Sequence, residues 1–336
     1  MSISQHTHRS AGLSVSSDQL DEYALLSQVA NMYYNHNMKV TEIASALFFS
    51  PAKVSRLLAQ AREKKVVEIT VRRVAGRITE QEEQLKARFG LKDAVVINSF
   101  ADETERDELE IITEFAADYT SNLLIGRKTL GISNGTAVNL LVSKIQPSHR
   151  CELDVVQLLG SGGGAYKDIE ARDLVDQMSE IYPGGRTFFL NTPIYIDNTV
   201  AREGLLQDSS ISNTLNRMRN CDILLTGIGS FGTRGTTPPV IIQEYLTSAH
   251  IEELYDKQAA GCVCAQFYDI EGRLIDCSWN RNCISMPFDD IRKNPLTIGV
   301  ACGSSKVVPI LGALRAGLIN VLVTGSDTAL ALCAKV

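Results

Sequence analysis

Long apolar runs are missing from this chain of 336 residues. No stretch has the length and apolarity of a membrane span, and the first residues hold no apolar core of a signal peptide, so a cytoplasmic location with no membrane partner is the expectation. Histidine is scarce, with five in the whole chain. His149 and His250 lie outside every glycine-rich loop, and no HExxH pattern occurs. A Walker GxxxxGKS/T loop is absent, as is a GxGxxG turn in a βαβ context, which removes the commonest nucleotide sites. The eight cysteines form no CxxC pair. Cys262 and Cys264 would share one face of a strand, but no neighbouring His completes a tetrahedral site; Cys151, Cys221 and Cys302 sit in or beside apolar runs, as buried reduced thiols do. Neither metal nor cofactor is expected.

With 44% apolar residues the chain can bury a large core, and its length suits a small domain plus a larger one. Net charge is −6, unevenly placed. Residues 1 to 75 hold nine Lys and Arg against six Asp and Glu, so that end is +3 and the remainder −9. A basic end on an acidic body permits local attraction to a polyanion, although a difference this small is also common on solvated surfaces.

Residues 1–17, rich in Ser and His and without periodicity, read as a flexible tail. Leu25, Leu26, Val29, Met32 and Tyr33 then mark a helical stripe, and Thr41 is placed to cap a short helix with Ile43, Ala44 and Leu47 inward. After Phe48 and Phe49, where such a turn usually has Gly, the segment SPAKVSRLLAQAR has Ser50 as N-cap, Pro51 at the first helical position, and Val54, Leu57, Leu58 and Ala61 at helical spacing. Short helix, tight turn and longer helix follow the order of a helix-turn-helix. Its polar face carries Lys53, Ser55 and Arg56, donors that suit phosphates and base edges. KKVVEITVRR alternates as a half-buried strand does, and reads either as a basic wing or as a solvated edge strand. The predicted DNA contacts are Thr41, Ser50, Lys53, Ser55 and Arg56.

Residues 76–90 read as a linker helix that stops at Gly90, and 18–75 as the DNA-binding domain. From Leu91 to the end, apolar runs without alternation (DAVVIN, TLGIS, DVVQLLG, DILLTGIG, LTIGVACG, INVLVTG) alternate with amphipathic stretches. They predict a Rossmann-like α/β domain with a mainly parallel sheet, covered on both faces. GCVCAQFYD and RLIDCS, separated by IEG, suggest an inserted hairpin.

In such sheets ligands bind outside the carboxyl ends of the strands. Four expected strand ends are glycine-rich: Ser133, Asn134, Gly135 and Thr136; Ser161, Gly162, Gly163 and Gly164; Gly227 to Gly232, with Gly229 at its centre; and Gly303 to Lys306, where Lys306 adds a full charge. Each alone is an ordinary tight turn; four together suit an anion and a polyol. A sugar ring also needs a carboxylate to accept its hydroxyl hydrogens, and Asp269 at the end of CAQFYD is the candidate, with simple turn chemistry as the alternative. The same Asp269 is the nominal general base of an enzyme reading, a sugar-phosphate isomerase or deaminase; no catalytic set beyond it is proposed.

The segment ending KVSRLL, GISNGTAV, LLGSGGG, LLTGIG, FYDIEG, GVACGSSK and NVLVTGSDTA occur in the order found in the SorC family of bacterial sugar-binding regulators, which the chain resembles over nearly its whole length. The resemblance implies a winged helix-turn-helix followed by an effector domain over residues 91–336, similar in fold to sugar-phosphate isomerases and deaminases but used for sensing. It further implies operator DNA and a phosphorylated sugar as partners, a homodimer or homotetramer, and control of a carbohydrate uptake or catabolic operon. Lys306 and the Ser133 to Thr136 loop would contact phosphate or sugar, and Asp269 a sugar hydroxyl.

Overall fold

A computed structural model describes residues 17–67, 74–101, 104–162, 170–231 and 246–335. Two compact units meet in sequence between Val74 and Ala75.

The first unit is helical. Helix α1 (Ser17–Ala30) continues into one π-helical turn at Asn31–Asn35 and is followed by α2 (Val40–Ala46) and α3 (Pro51–Glu63). Leu26, Val29, Ile43, Val54, Leu57, Leu58 and Ala61 form its core, the apolar stripes anticipated from spacing. Ser50 caps α3, its Oγ accepting the Lys53 N–H at 3.2 Å. Thr41 does not cap α2. Helix α2 begins two residues earlier than such a cap would place it, with Lys39 at the N-cap, and the Glu42 carboxylate turns back to accept the Lys39 N–H at 2.9 Å, leaving Thr41 as an exposed residue inside the helix. The α2–α3 turn takes the shape a glycine would give it without one. Phe48 adopts φ +55° while the Phe49 N–H reaches back to the Ala44 carbonyl at 2.8 Å, a Schellman closure. The proposed wing, apart from Lys64 to Val67, lies outside the described residues, as do the tail up to residue 16, Gly163, Gly164 and Gly232.

The second unit is built on a seven-stranded parallel sheet: β1 (Asp93–Ile97), β2 (Gly126–Ile132), β3 (Cys151–Gln157), β4 (Thr187–Phe188), β5 (Ile223–Gly227), β9 (Thr297–Val300) and β10 (Val321–Gly325), in the order β1-β10-β9-β5-β2-β3-β4. Both faces are covered, which is why the strand sequences do not alternate: on β1, Ala94 and Val96 enter one core while Val95 and Ile97 enter the other. Helix α4 (Thr79–Phe89), expected as a linker, is packed into this unit against β1 and the C-terminal helix Ser326–Ala334. Leu85 is fully buried, and Glu82 accepts both the Arg77 Nε–H at 2.8 Å and the Val96 N–H at 3.0 Å. Gly90 stops the helix at φ +66°.

A second, antiparallel sheet holds β6 (Gly229–Ser230), β7 (Ala259–Val263) and β8 (Gln266–Asp269). Here the expected hairpin is corrected. GCVCAQFYD is itself the hairpin, turning at Cys264 and Ala265, both at positive φ (+47° and +61°), while RLIDCS contributes one bridge from Leu274 to Tyr268. Two-residue hairpin turns favour Asn-Gly because both central residues need positive φ, so a Cys-Ala pair gave no turn signal.

Candidate functional site

Adjacent strands β9, β5 and β2 deliver three loops to one place. Beyond their carboxyl ends lies a cavity of about 460 Å³, lined by Ser133 to Ala137, Gly227 to Ser230 and Val300 to Cys302 with Lys306. The turn of the β7–β8 hairpin supplies Cys262, Cys264 and Ala265, and the first turn of helix α5 (Glu105–Leu123) supplies Glu105, Arg106 and Leu109. Gly135 enters helix α6 (Thr136–Lys144) at φ +129°, and Gly303 turns at +101°, conformations that let backbone rather than Cβ face a ligand.

Charge in the cavity is sparse and placed. Lys306 donates to the Ile228 carbonyl at 2.8 Å, and burial pulls its amine below the usual lysine range, opposed by the nearby Cys262 and Glu105. Glu105, across from it, accepts the Ser304 hydroxyl at 3.2 Å and the Ser305 hydroxyl at 3.4 Å. The thiols are inert walls: burial pushes Cys262 and Cys264 up to about 12, far from a thiolate at neutral pH. Residues 131–135, GISNG, have the spacing of a GxSxG nucleophile elbow, but Ser133 is buried with its hydroxyl on Thr226 Oγ1 at 3.1 Å, and among the described residues no His lines the cavity. An activated serine is not built here.

Of the residues expected from sequence, Ser133, Asn134, Gly135, Thr136, Gly229 and Lys306 are brought together. Ser161 and Gly162 are not. Ser161 is tied into a bridge with the 192–194 segment, its N–H on the Thr192 carbonyl at 2.9 Å, and the Gly162 N–H is taken by Glu170 at 3.1 Å. Asp269 lies off the cavity too. Its carboxylate accepts the Arg273 N–H at 2.9 Å and pairs with the Arg273 guanidinium at 2.8 Å, closing the DIEGR turn. These contacts are the turn chemistry that was the alternative reading of Asp269.

The carboxylate that does line the cavity, Glu105, and its neighbour Arg106 were missed. A signal was present: Thr104 and Asp107 form a capping box, with the Thr104 N–H on Asp107 at 3.2 Å, which starts a helix just beyond β1 and so brings its first turn to the same end of the sheet.

On α3, Ser55 and Arg56 are exposed on the face opposite Val54, Leu57 and Leu58. Lys53 is half-buried, its amine 3.6 Å from the centroid of the Phe49 ring. Ser50 is engaged as the cap.

With the two units laid out in this way, likeness to known proteins becomes informative. The sugar-binding domain family matches residues 74–334. The chain belongs to this family, that of the SorC regulators. It is 29% identical over 310 residues to the sorbitol operon regulator of Klebsiella pneumoniae, covering 92% of this chain and 97% of that one. The crystal structure of that full-length regulator superposes with a TM-score of 0.69 over 93% of this chain and 99% of its own. The deoxyribonucleoside regulator of Bacillus subtilis is 25% identical over 93% of this chain and 98% of its own length. These SorC relatives are named as regulators, and their two-unit length is spanned by this chain almost completely. Among the described residues no helix is long and apolar enough to cross a membrane.

Proposed function

We propose that this SorC-family chain is a transcriptional regulator of a carbohydrate uptake or catabolic operon, and that a phosphorylated sugar held in the 460 Å³ cavity sets its affinity for operator DNA. The observation that carries this reading is the convergence of Ser133 to Thr136, Gly227 to Ser230 and, from beyond β9, Val300 to Cys302 with Lys306 on one cavity, where Lys306 is the single buried-side amine. Backbone amides and hydroxyls at the entry of α6 suit an anion, Lys306 supplies its counter-charge, and the apolar wall of Ala137, Val300 and Ala301 suits a carbon skeleton. The relatives' names as operon regulators support the output, and Arg56 and Ser55 on the exposed face of α3 are the donors offered to DNA, with Thr41, Ser50 and Lys53 beside them. Function in the cytoplasm, as a homodimer or homotetramer on a two-fold operator, belongs to the same reading.

An effector changes DNA affinity only to the extent that it binds one of two arrangements of the protein more tightly, so operator binding and sugar-phosphate binding must be reciprocally linked. An isomerase or deaminase would need a base over the sugar ring; Asp269, the nominal one, is outside the cavity. The test is titration of promoter DNA at fixed salt with and without a panel of sugar phosphates. A shift in operator affinity with one of them, lost in Lys306→Ala, supports the reading. Sequence-independent DNA binding that no sugar phosphate alters would refute it.

A further inference from the structure

The Gly303 to Lys306 loop sends Lys306 into the cavity, and its two serines, just outside the lining, already have an anion on them, Glu105, which does line the cavity. Glu105 spreads its two carboxylate oxygens over two consecutive hydroxyls, Oε1 on Ser304 at 3.2 Å and Oε2 on Ser305 at 3.4 Å. It also presses on the loop backbone: a Cβ added to Gly303 would lie 2.6 Å from the Glu105 side-chain carboxyl carbon and 2.7 Å from Oε1. The charge of Glu105 is felt at Lys306, whose amine it favours in the charged form. The Glu105 carboxylate thus accepts from two serine hydroxyls of this loop. Yet Glu105 is exposed, at the first position of α5 beyond the Thr104 cap, where its side chain can swing into solvent without disturbing a core.

We infer that Glu105 is an internal stand-in for the effector's phosphate: in the unliganded protein its carboxylate occupies the Ser304 and Ser305 hydroxyls, and a phosphate enters by displacing it. The inference rests on the reading of the cavity as a sugar-phosphate site. A carboxylate and a phosphate monoester dianion are both acceptor-only anions, and two anions compete for one pair of hydroxyl donors beside a single amine. Displacement sets a threshold, because the phosphate must outcompete a tethered carboxylate before it gains Lys306. It also sets selectivity. A neutral sugar has no group that would claim those hydroxyls from an anion, so Glu105 opposes phosphorylated ligands and leaves unphosphorylated ones unaffected. Finally, binding changes the state of the first turn of α5, since Glu105 is released when the loop is taken.

The experiment uses the full chain and its Glu105→Gln and Glu105→Asp variants, with inorganic phosphate, sorbitol 6-phosphate and unphosphorylated sorbitol titrated calorimetrically into each. Removing the like charge should tighten binding of both phosphate compounds by about tenfold or more. Glu105→Asp, whose shorter arm cannot span both serines, should give a smaller gain, and the affinity for sorbitol should not move. Equal or weaker phosphate binding by Glu105→Gln would overturn the inference while leaving the sugar-phosphate reading intact, because Glu105 would then be an ordinary ligand contact. An equal gain for sorbitol would overturn it also, as a widened cavity. If neither these compounds nor any sugar phosphate of the promoter-titration panel binds any of the three proteins, the sugar-phosphate reading itself falls and the inference with it. Melting curves of each variant report folding, and Glu105→Asp keeps the test decisive if the amide variant does not fold.

Discussion

Two loops of nearly the same composition end this fold's strands and do different things. The loop after β9 brings Cys302 and Lys306 to the cavity; Ser161 and Gly162, beyond β3, are spent on backbone hydrogen bonds to Thr192 and on Glu170. Both contain Gly and Ser, and both follow a buried strand. What separates them is rank in the sheet. Strands β9, β5 and β2 are consecutive, so their loops converge, whereas β3 lies one place further toward the edge, where the 192–194 segment and Glu170 take up its loop. Glycine content marks a loop as able to bind; neighbourhood in the sheet decides whether it has a partner across a cavity.

The sharpest way to break that comparison is to remove the charge on one side and a hydroxyl on the other. Lys306→Ala should weaken binding of a sugar phosphate by about a hundredfold, as loss of a partly desolvated charge contact does, while Ser161→Ala should change it by less than about twofold. Calorimetric titration of both variants checks this, and equal effects would place Ser161 in the site after all. Next in size is Gly303→Ala. Its φ of +101° and the crowding by Glu105 should destabilise the protein by about 2 kcal/mol, read from the urea midpoint at unchanged slope.

A second pair of residues, on α3, extends the contrast to the other unit. Arg56→Ala should lower operator affinity about tenfold at physiological salt, and Lys53→Ala by less, because the Lys53 amine already rests on the Phe49 ring. Competition between operator and random DNA would reverse the order if Lys53 is the base contact. Smaller still, Phe48→Gly should stabilise the helical unit by about 1 kcal/mol, since a left-handed φ strains any residue with a Cβ and the Phe48 ring is 95% exposed. Thermal unfolding measures it.

The smallest effect is read as a sign. Burial holds Lys306 below its ordinary 10.5, so the folded protein carries a charge that it binds less readily than the unfolded chain does. Below the folded value that cost is fully present; as pH rises from there toward 10.5 the unfolded state holds the extra proton and the cost fades. Lys306→Met should therefore raise the melting temperature at neutral pH, with the gain shrinking as pH approaches 10.5. A gain that is flat with pH would assign it to packing.

Much of this was legible in the chain. The apolar runs marked six of the seven strands of the main sheet because a strand covered on both faces has no reason to alternate, and β4, two residues long, leaves no run to read. Ser50 was legible as a cap because capping is a contact between residues three apart. Thr41 failed by the same locality: Glu42 competes for the same helix start and wins with a charge. The Cys264-Ala265 turn was invisible because neither residue favours positive φ, and only the packing of β6, β7 and β8 holds them there. Asp269 was ambiguous from sequence; in the structure it pairs with Arg273 of its own turn.

By itself, then, the sequence determined the helix-turn-helix order of the first unit, the parallel α/β class of the second, and the set of loops able to hold an anion, since all three follow from patterns within a few residues. Which loops meet, and that Glu105 and not Asp269 is the carboxylate among them, was decided only by the tertiary structure. Strand order brings residues nearly two hundred positions apart to within hydrogen-bonding distance, as Glu105 and Ser304 are, and no local pattern records such a pairing.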